Sequence, residues 1–392
     1  MKKDRRLKIL WNSNAFWSNS GYAQQQAYVL PALTKDGWTQ AHIDFYGLEG
    51  GIVELEGVKH YPRIADIWGL DAMIEHGKDF NTDITLSNQD IWTLDPNALQ
   101  HVKRWIPWLP VDHDPIPPAV LQRAKMAYRI LAYSKFAQKQ LADNGVHSTY
   151  LPLMVDTKIF KPYKKDEMRE LLGIPKDVFL FGMVAANKDN PPRKSFQEVL
   201  DAFAVFHREH PKSAIYFHVA VDNPGGFPIN EYVKFLGLNP SVVFYPPPYD
   251  LAYKISKEHM AKIYSTFDCL LAPSVSEGWG VPIVEAMACG IPVIANDFTS
   301  MTELIEPGKN GYLTEVLYKR FTPLLSYVGV VDSHSLYMHM EQIFKDDRKK
   351  MGVFCRLSIM QYDTEYVMKT HLIPFLEKVQ AEVYEEDTIN SK

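Results

Sequence analysis

Two short apolar runs in the last third of the chain, residues 267–272 and 292–295, are separated by a loop and one helix-length segment, and that spacing leaves few folds open. Short apolar runs bounded by Pro and Gly read as buried strands. The first run stops at Pro273, a loop of small residues follows over 274–280, and Pro282 opens a helix-like run. Proline is tolerated in a first helical turn because the N–H it lacks would have no helical partner there. Two strands joined through a helix run parallel, so the pattern calls for an α/β architecture with a parallel sheet covered by helices. The same alternation continues upstream, with strand-like runs at 178–184, 214–221 and 242–245. Between the first two, residues 195–209 place Phe196, Val199, Leu200, Phe203 and Phe206 on one helical face, which is the spacing of a core face.

The first half repeats the pattern less regularly, with strand candidates at 7–11, 42–46, 84–86, 105–111 and 129–132 and a helix-like run at 22–33. A chain of 392 residues with 46% hydrophobic and 23% charged residues can fill two cores. Around 155–176 the composition turns to Lys, Asp and Pro, so residues 1–156 and 177–360 read as two domains joined by a linker over 157–176. Residues 362–383 are again helical in pattern, and neither an internal repeat nor a low-complexity tract is evident.

Net charge is −5 and the sequence pI about 6.2, which argues against general electrostatic attraction to nucleic acid or anionic lipid. The basic start, residues 1–8, reads as a solvated tail. No apolar run is long enough to span a bilayer, and residues 7–11 are too few for a signal-peptide core, so stable membrane insertion is not expected and a cytoplasmic location is. Cys269, Cys289 and Cys355 have no metal-type spacing, and free, reduced thiols are expected.

At the helix start, the backbone N–H groups of Gly278, Trp279 and Gly280 would lie where unpaired donors and the positive end of the helix dipole favour a phosphate. Glu277 in the loop and Glu285 in the helix bracket this turn, and ionised carboxylates accept from sugar hydroxyls. The run Ser-Glu-Gly-Trp-Gly-Val-Pro-Ile-Val-Glu, residues 276–285, continuing to Ala295, closely resembles the donor-site signature of the retaining glycosyltransferases of family 4. The resemblance implies the GT-B fold, two Rossmann-like domains with parallel sheets facing each other across a deep crevice. It also implies that Glu277 contacts the transferred sugar and Glu285 the nucleotide ribose, and that Gly278, Trp279, Gly280 and Val281 lie along the donor. In that family the C-terminal segment, here 361–392, crosses back onto the first domain.

A diphosphate leaving group needs its charge balanced by a metal or by fixed cations. Residues 188–194, Lys-Asp-Asn-Pro-Pro-Arg-Lys, follow the strand ending at Val184 and supply Arg193 and Lys194. A cation about 4 Å from a phosphate oxygen is worth roughly 4 kcal/mol at an effective dielectric of about 20. The family commonly carries an Arg and a Lys in this loop. Lys194 matches the Lys, while Lys188 stands where the Arg is expected, so either Arg193 substitutes or the phosphate is held more loosely.

In the first half, Ser20 and Gly21 end a polar loop before a helix and resemble the family's glycine-containing loop near the diphosphate and acceptor. Asp112 and His113 follow the run 105–111, where relatives direct a residue at the reacting centre. Asp112 and Asp114 also allow a rival reading, an Asp-X-Asp metal site of the other common glycosyltransferase fold, although the specific motif lies in the second half of the chain. Trp11, Phe16, Trp17, Trp105 and Trp108 either line a sugar site or fill a core. Pro307-Gly308-Lys309 reads as a turn rather than a phosphate loop, and no Gly-X-Ser-X-Gly elbow is present.

Together these residues lead to the expectation of a metal-independent, cofactor-free transferase acting on a UDP- or GDP-type sugar donor with retention of configuration. The acceptor stays open among saccharide, lipid, protein and modified nucleic-acid base. Two alternatives use the same groups: a GT-B phosphorylase or sugar-nucleotide epimerase, and a non-catalytic nucleotide-sugar binding protein.

Overall fold

The computed structural model describes residues 5–189, 191–221, 223–247 and 255–390, so Met1–Asp4 of the basic start and Asn190 of the cationic loop lie outside the described residues. The chain divides into two units. One comprises 1–111, 115–154 and 364–392, and the other 112–114 with 155–363.

The first unit is built on strands β1 (Lys8–Asn14), β2 (Thr39–Tyr46), β3 (Val53–Leu55), β4 (Val58–Pro62), β5 (Ile84–Asn88), β6 (Trp105–Leu109), β7 (Leu131–Ala132) and β8 (Thr149–Tyr150). Their order across the sheet is β3-β4-β2-β1-β5-β6-β7-β8, parallel except for the β3–β4 hairpin at one edge. The chain starts near the middle of the sheet, runs outward through β2, and returns to the other side of β1 with β5. Such an order leaves a switch point beyond the carboxyl ends of β1 and β5. Trp11, Trp105 and Trp108 are core residues; their indole N–H groups donate to Gln40 Oε1, Ser87 Oγ and the Leu151 carbonyl at 3.1, 2.9 and 2.8 Å. The C-terminal segment belongs to this unit. Its helix Ile373–Asn390 buries Leu376, Val379 and Val383, and Arg104 pairs with Glu386 and Asp387.

The second unit carries β9 (Phe179–Val184), β10 (Ser213–His218), β11 (Val243–Phe244), β12 (Cys269–Ala272), β13 (Val293–Asn296) and β14 (Gly311–Thr314). They form a parallel sheet in the order β11-β10-β9-β12-β13-β14, with its switch point between β9 and β12. The aromatic face of the helix Phe196–Glu209 is fully buried in one core. A second antiparallel pair, β15 (Val316–Phe321) and β16 (Tyr327–Val331), was not marked in the sequence.

Residues 157–176 fold as part of this unit. The helix Lys165–Leu171 docks through Arg169, which is only 2% exposed and donates to the carbonyls of Thr266, Lys176 and Val178 and to Asp268. All three cysteines are buried and free. Among the described residues, no helix is long and apolar enough to cross a membrane.

Candidate functional site

Loops leaving the carboxyl ends of adjacent parallel strands on either side of a switch point face each other. In the second unit these are the loop after β9, which carries Lys188, Arg193 and Lys194, and the loop after β12, which carries Glu277. They meet. Lys194 Nζ donates to Glu277 Oε1, and Arg193 donates through Nη1 to the Ser276 carbonyl at 2.7 Å and to Glu277 Oε2 at 3.3 Å. The Val275 N–H donates back to the Arg193 carbonyl at 2.9 Å, so the two loops are tied by backbone as well as side chains.

The electrostatics are asymmetric. Burial pushes the Glu277 carboxyl up, but Lys194 and Arg193 outweigh it and bring its pKa down to about 2. Lys194, only 15% exposed, moves in the unfavourable direction, because burial and then the neighbouring Arg193 lower its pKa against the pull of Glu277. One carboxylate is thus shared by two cations, and positive charge is left over for an anion. Lys188 is exposed and touches the cluster only through a weak charge effect on Lys194.

The turn before the helix Val281–Ala288 is built for close approach. Gly280 has φ of 108°, and a Cβ there would come 2.9 Å from Ile283 Cδ1. Among the described residues the N–H groups of Gly278, Trp279 and Gly280 are drawn into no hydrogen bond and sit at the helix start. Trp279 contributes through its backbone only; its ring is buried edge-on against Tyr362. The loop is held from the short 3₁₀ turn that follows β13, where Thr299 Oγ1 and Ser300 Oγ donate to the Glu277 carbonyl at 2.9 and 2.8 Å. Glu285 lies one turn into the helix, 7% exposed, and accepts from Tyr264 Oη at 2.8 Å. A narrow recess of about 10 Å³ lies between these loops, lined by Ala185, Lys194, Ser274, Glu277, Gly280 and Pro282.

Tyr264, Thr299 and Ser300 were not singled out in the sequence. The only signal for the last two was their place just after a strand of the same sheet.

Asp112 and His113 group with this unit. His113 Nδ1 is 2.7 Å from Asp112 Oδ1. Burial raises the Asp112 pKa, but His113 and the charge of Arg193 lower it on balance; with 33% of the side chain open, the two partners count for more than the burial. Asp114 turns to Lys319 at 2.7 Å, so the two aspartates hold separate partners. Ser20 and Gly21 lie in the first unit, at its switch point. Ser20 caps the helix Gly21–Lys35, accepting from the Ala23 N–H at 3.1 Å and from Asn14 Nδ2 at 2.7 Å.

A larger recess, about 590 Å³, opens at the amino ends of the second unit's strands among Lys165, Lys176, Lys212, Asp268 and Arg348. Its lysines are engaged by Asp268, Glu170 and Asp177, and no glycine turn approaches it. Size alone does not make it the substrate site.

Residues 178–319 match the family model described as glycosyl transferases group 1. The D-inositol 3-phosphate glycosyltransferase of Acidothermus cellulolyticus is 28% identical over 172 residues, 42% of this chain and 36% of that protein, so the similarity spans about a third of the relative's length. Two solved structures share the fold across nearly the whole chain. Sucrose-phosphate synthase from Thermosynechococcus elongatus superposes with a TM-score of 0.75 at 15% identity, covering 96% of this chain and 100% of that one. Anabaena Alr3699/HepE in complex with UDP-glucose gives 0.68 at 16% identity, covering 99% and 100%. The architecture is therefore the two-domain GT-B fold with two Rossmann-like domains.

Proposed function

We propose, from the match of residues 178–319 to the model of the glycosyl transferases group 1, that this protein transfers a sugar from a nucleoside-diphosphate sugar to an acceptor hydroxyl. The observation that carries the proposal is the meeting of Lys194 and Arg193 with Glu277 beside the Gly278–Gly280 turn. Two fixed cations, free backbone donors and a helix start are what a departing diphosphate requires.

In this reading the diphosphate takes over Lys194 and Arg193 and receives the N–H groups of the turn. Glu277, released from Lys194, accepts from hydroxyls of the sugar, and Glu285 accepts from the ribose. The bond from the anomeric carbon to the phosphate oxygen breaks, and the acceptor oxygen bonds to that carbon on the same face. The departing phosphate oxygen takes the acceptor's proton, so configuration is retained. The two cations balance the leaving group's charge without a metal. The UDP-glucose complex of the Anabaena neighbour supports a uridine diphosphate sugar as the first donor to try.

Thermal stability in EDTA against UDP, GDP, ADP, TDP and their sugar conjugates tests the donor site. A ligand at about 100 times its dissociation constant stabilises the native state by roughly 2.7 kcal/mol. A shift confined to Mn²⁺-containing buffer would overturn the metal-free reading. Glu277→Ala should abolish transfer and leave binding of the bare nucleotide nearly intact; equal loss of both would reassign Glu277.

A further inference from the structure

Away from this site, the first unit brings two histidines and an aspartate together. His42 and Asp44 stand two apart on β2 and so share a face of the sheet. His60 on β4 is in register with His42. The pleat thus gathers the three residues, and all are 0% exposed. His42 Nδ1 lies 2.8 Å from Asp44 Oδ1, and His60 Nδ1 lies 2.7 Å from Asp44 Oδ2. One ligand atom from each falls within 4.8 Å of the others. Phe16 and Trp17 close over His60, with ring centroids 5.6 and 5.3 Å away.

A carboxylate this deep needs a positive partner. Nε2 of both His42 and His60 is buried with no hydrogen-bond partner.

We propose that His42, Asp44 and His60 bind a divalent ion of the zinc class through the two Nδ1 atoms and the carboxylate, as a structural site joining β4 to β2. Two imidazoles and one carboxylate suit zinc better than magnesium or calcium, which take oxygen ligands. Zinc–ligand distances of about 2.0–2.1 Å put tetrahedral ligand atoms roughly 3.3 Å apart, so the contacts open by about half an ångström on binding.

A metal at Nδ1 fixes the ring proton on Nε2, and such protons ordinarily find an acceptor. The helix Gly21–Lys35 packs on β2 through Gln40, which donates to the Leu30 carbonyl and Thr34 Oγ1, and the same helix carries Gln26. Both amide atoms of Gln26 are buried without a partner. The other three-ligand group among the described residues, Glu209, His210 and Glu341, is more exposed, and Tyr337 and Lys345 already bind its carboxylates.

The test uses the full chain without a histidine tag. After equilibration with Zn²⁺ and gel filtration, the wild type should retain about one zinc per chain, and Asp44→Asn and His60→Gln at least about tenfold less. Chelator-stripped wild type titrated with Co²⁺ should develop the visible absorption of a low-coordinate nitrogen–oxygen site. Wild type that holds less than about a tenth of an equivalent of zinc and shows no Co²⁺ absorption overturns the site. So does Asp44→Asn that retains wild-type zinc. The two wild-type measurements decide the matter even if the variants do not fold.

Discussion

Lys194 donates its ammonium to the carboxylate of Glu277 across the switch point of the second unit's sheet, so the cation offered to a phosphate and the carboxylate offered to a sugar begin as each other's partner. A diphosphate must compete for that ammonium, and winning it releases Glu277. The two functions are therefore coupled through one ion pair.

Arg193, not Lys188, should be the second cation of the site. Arg193 reaches Glu277 and the Ser276 carbonyl, whereas Lys188 is exposed. Arg193→Ala and Lys194→Ala are each expected to lower kcat/KM for donor by about 10²- to 10³-fold, the range for loss of one preorganised donor. Lys188→Ala should stay within about threefold, as surface charges usually do. Steady-state transfer kinetics with the three variants check this; an equal loss at Lys188 would return the Arg position to it.

The ion pair also predicts an acid-limb stability profile. The Glu277 carboxyl falls from an ordinary 4.5 to about 2 in the folded chain. A depressed carboxyl contributes stability that is present above about pH 4.5 and is lost as pH drops through about 2. The shift corresponds to roughly 3 kcal/mol as an upper bound, and the opposite movement of Lys194 reduces the net. Urea unfolding of wild type and Glu277→Gln should show wild type more stable by about 1–3 kcal/mol near pH 7, with the gap closing between about pH 4.5 and 2. A gap that does not change with pH would mean that the pair is not what stabilises the loop.

Five of the six strands in the second unit's parallel sheet were legible because each is a short apolar run bounded by Pro, Gly or a charge, and the helix Phe196–Glu209 writes its buried face at helical spacing; the edge strand β14, Gly-Tyr-Leu-Thr, has no such run and was not read. The loops at Lys194 and Glu277 could be named singly, but their contact depends on strand order, which no local pattern encodes. β15 and β16 escaped because Leu317, Tyr318 and Phe321 are exposed apolar residues and give no alternation to read. Residues 157–176 read as a linker because their charges hide one buried arginine, Arg169, that makes its own core of carbonyls. His42 and Asp44 show their shared face in sequence; His60 joins them only through the register of β4.

Gly280 should not tolerate a side chain. Its φ of 108° is unfavourable for any L-residue, and a Cβ would press on Ile283. Gly280→Ala is expected to lower stability by about 1–3 kcal/mol and to weaken nucleotide binding with it, since strain at the turn moves the donors of Gly278 and Trp279. Differential scanning calorimetry and nucleotide titration on the same sample check both. A stable variant with wild-type nucleotide affinity would show that the turn can relax without its glycine.

Tyr264 is the positioning residue for Glu285. It is fully buried, its hydroxyl donates to Glu285 Oε2 at 2.8 Å, and burial followed by the carboxylate's charge raises its pKa well above the ordinary value, so it remains a donor at every working pH. A carboxylate fixed in this way presents its other oxygen in one orientation. Tyr264→Phe keeps the ring and removes only the donor, leaving a buried carboxylate short of a partner, a change that typically costs about 1–3 kcal/mol. If Glu285 holds the ribose, the variant should raise KM for the donor by roughly tenfold with kcat within about twofold, because the lost interaction is made equally in ground and transition states. A loss of stability with unchanged KM would make Tyr264 purely structural, and a fall in kcat at constant KM would place Glu285 in the chemical step instead of at the nucleotide.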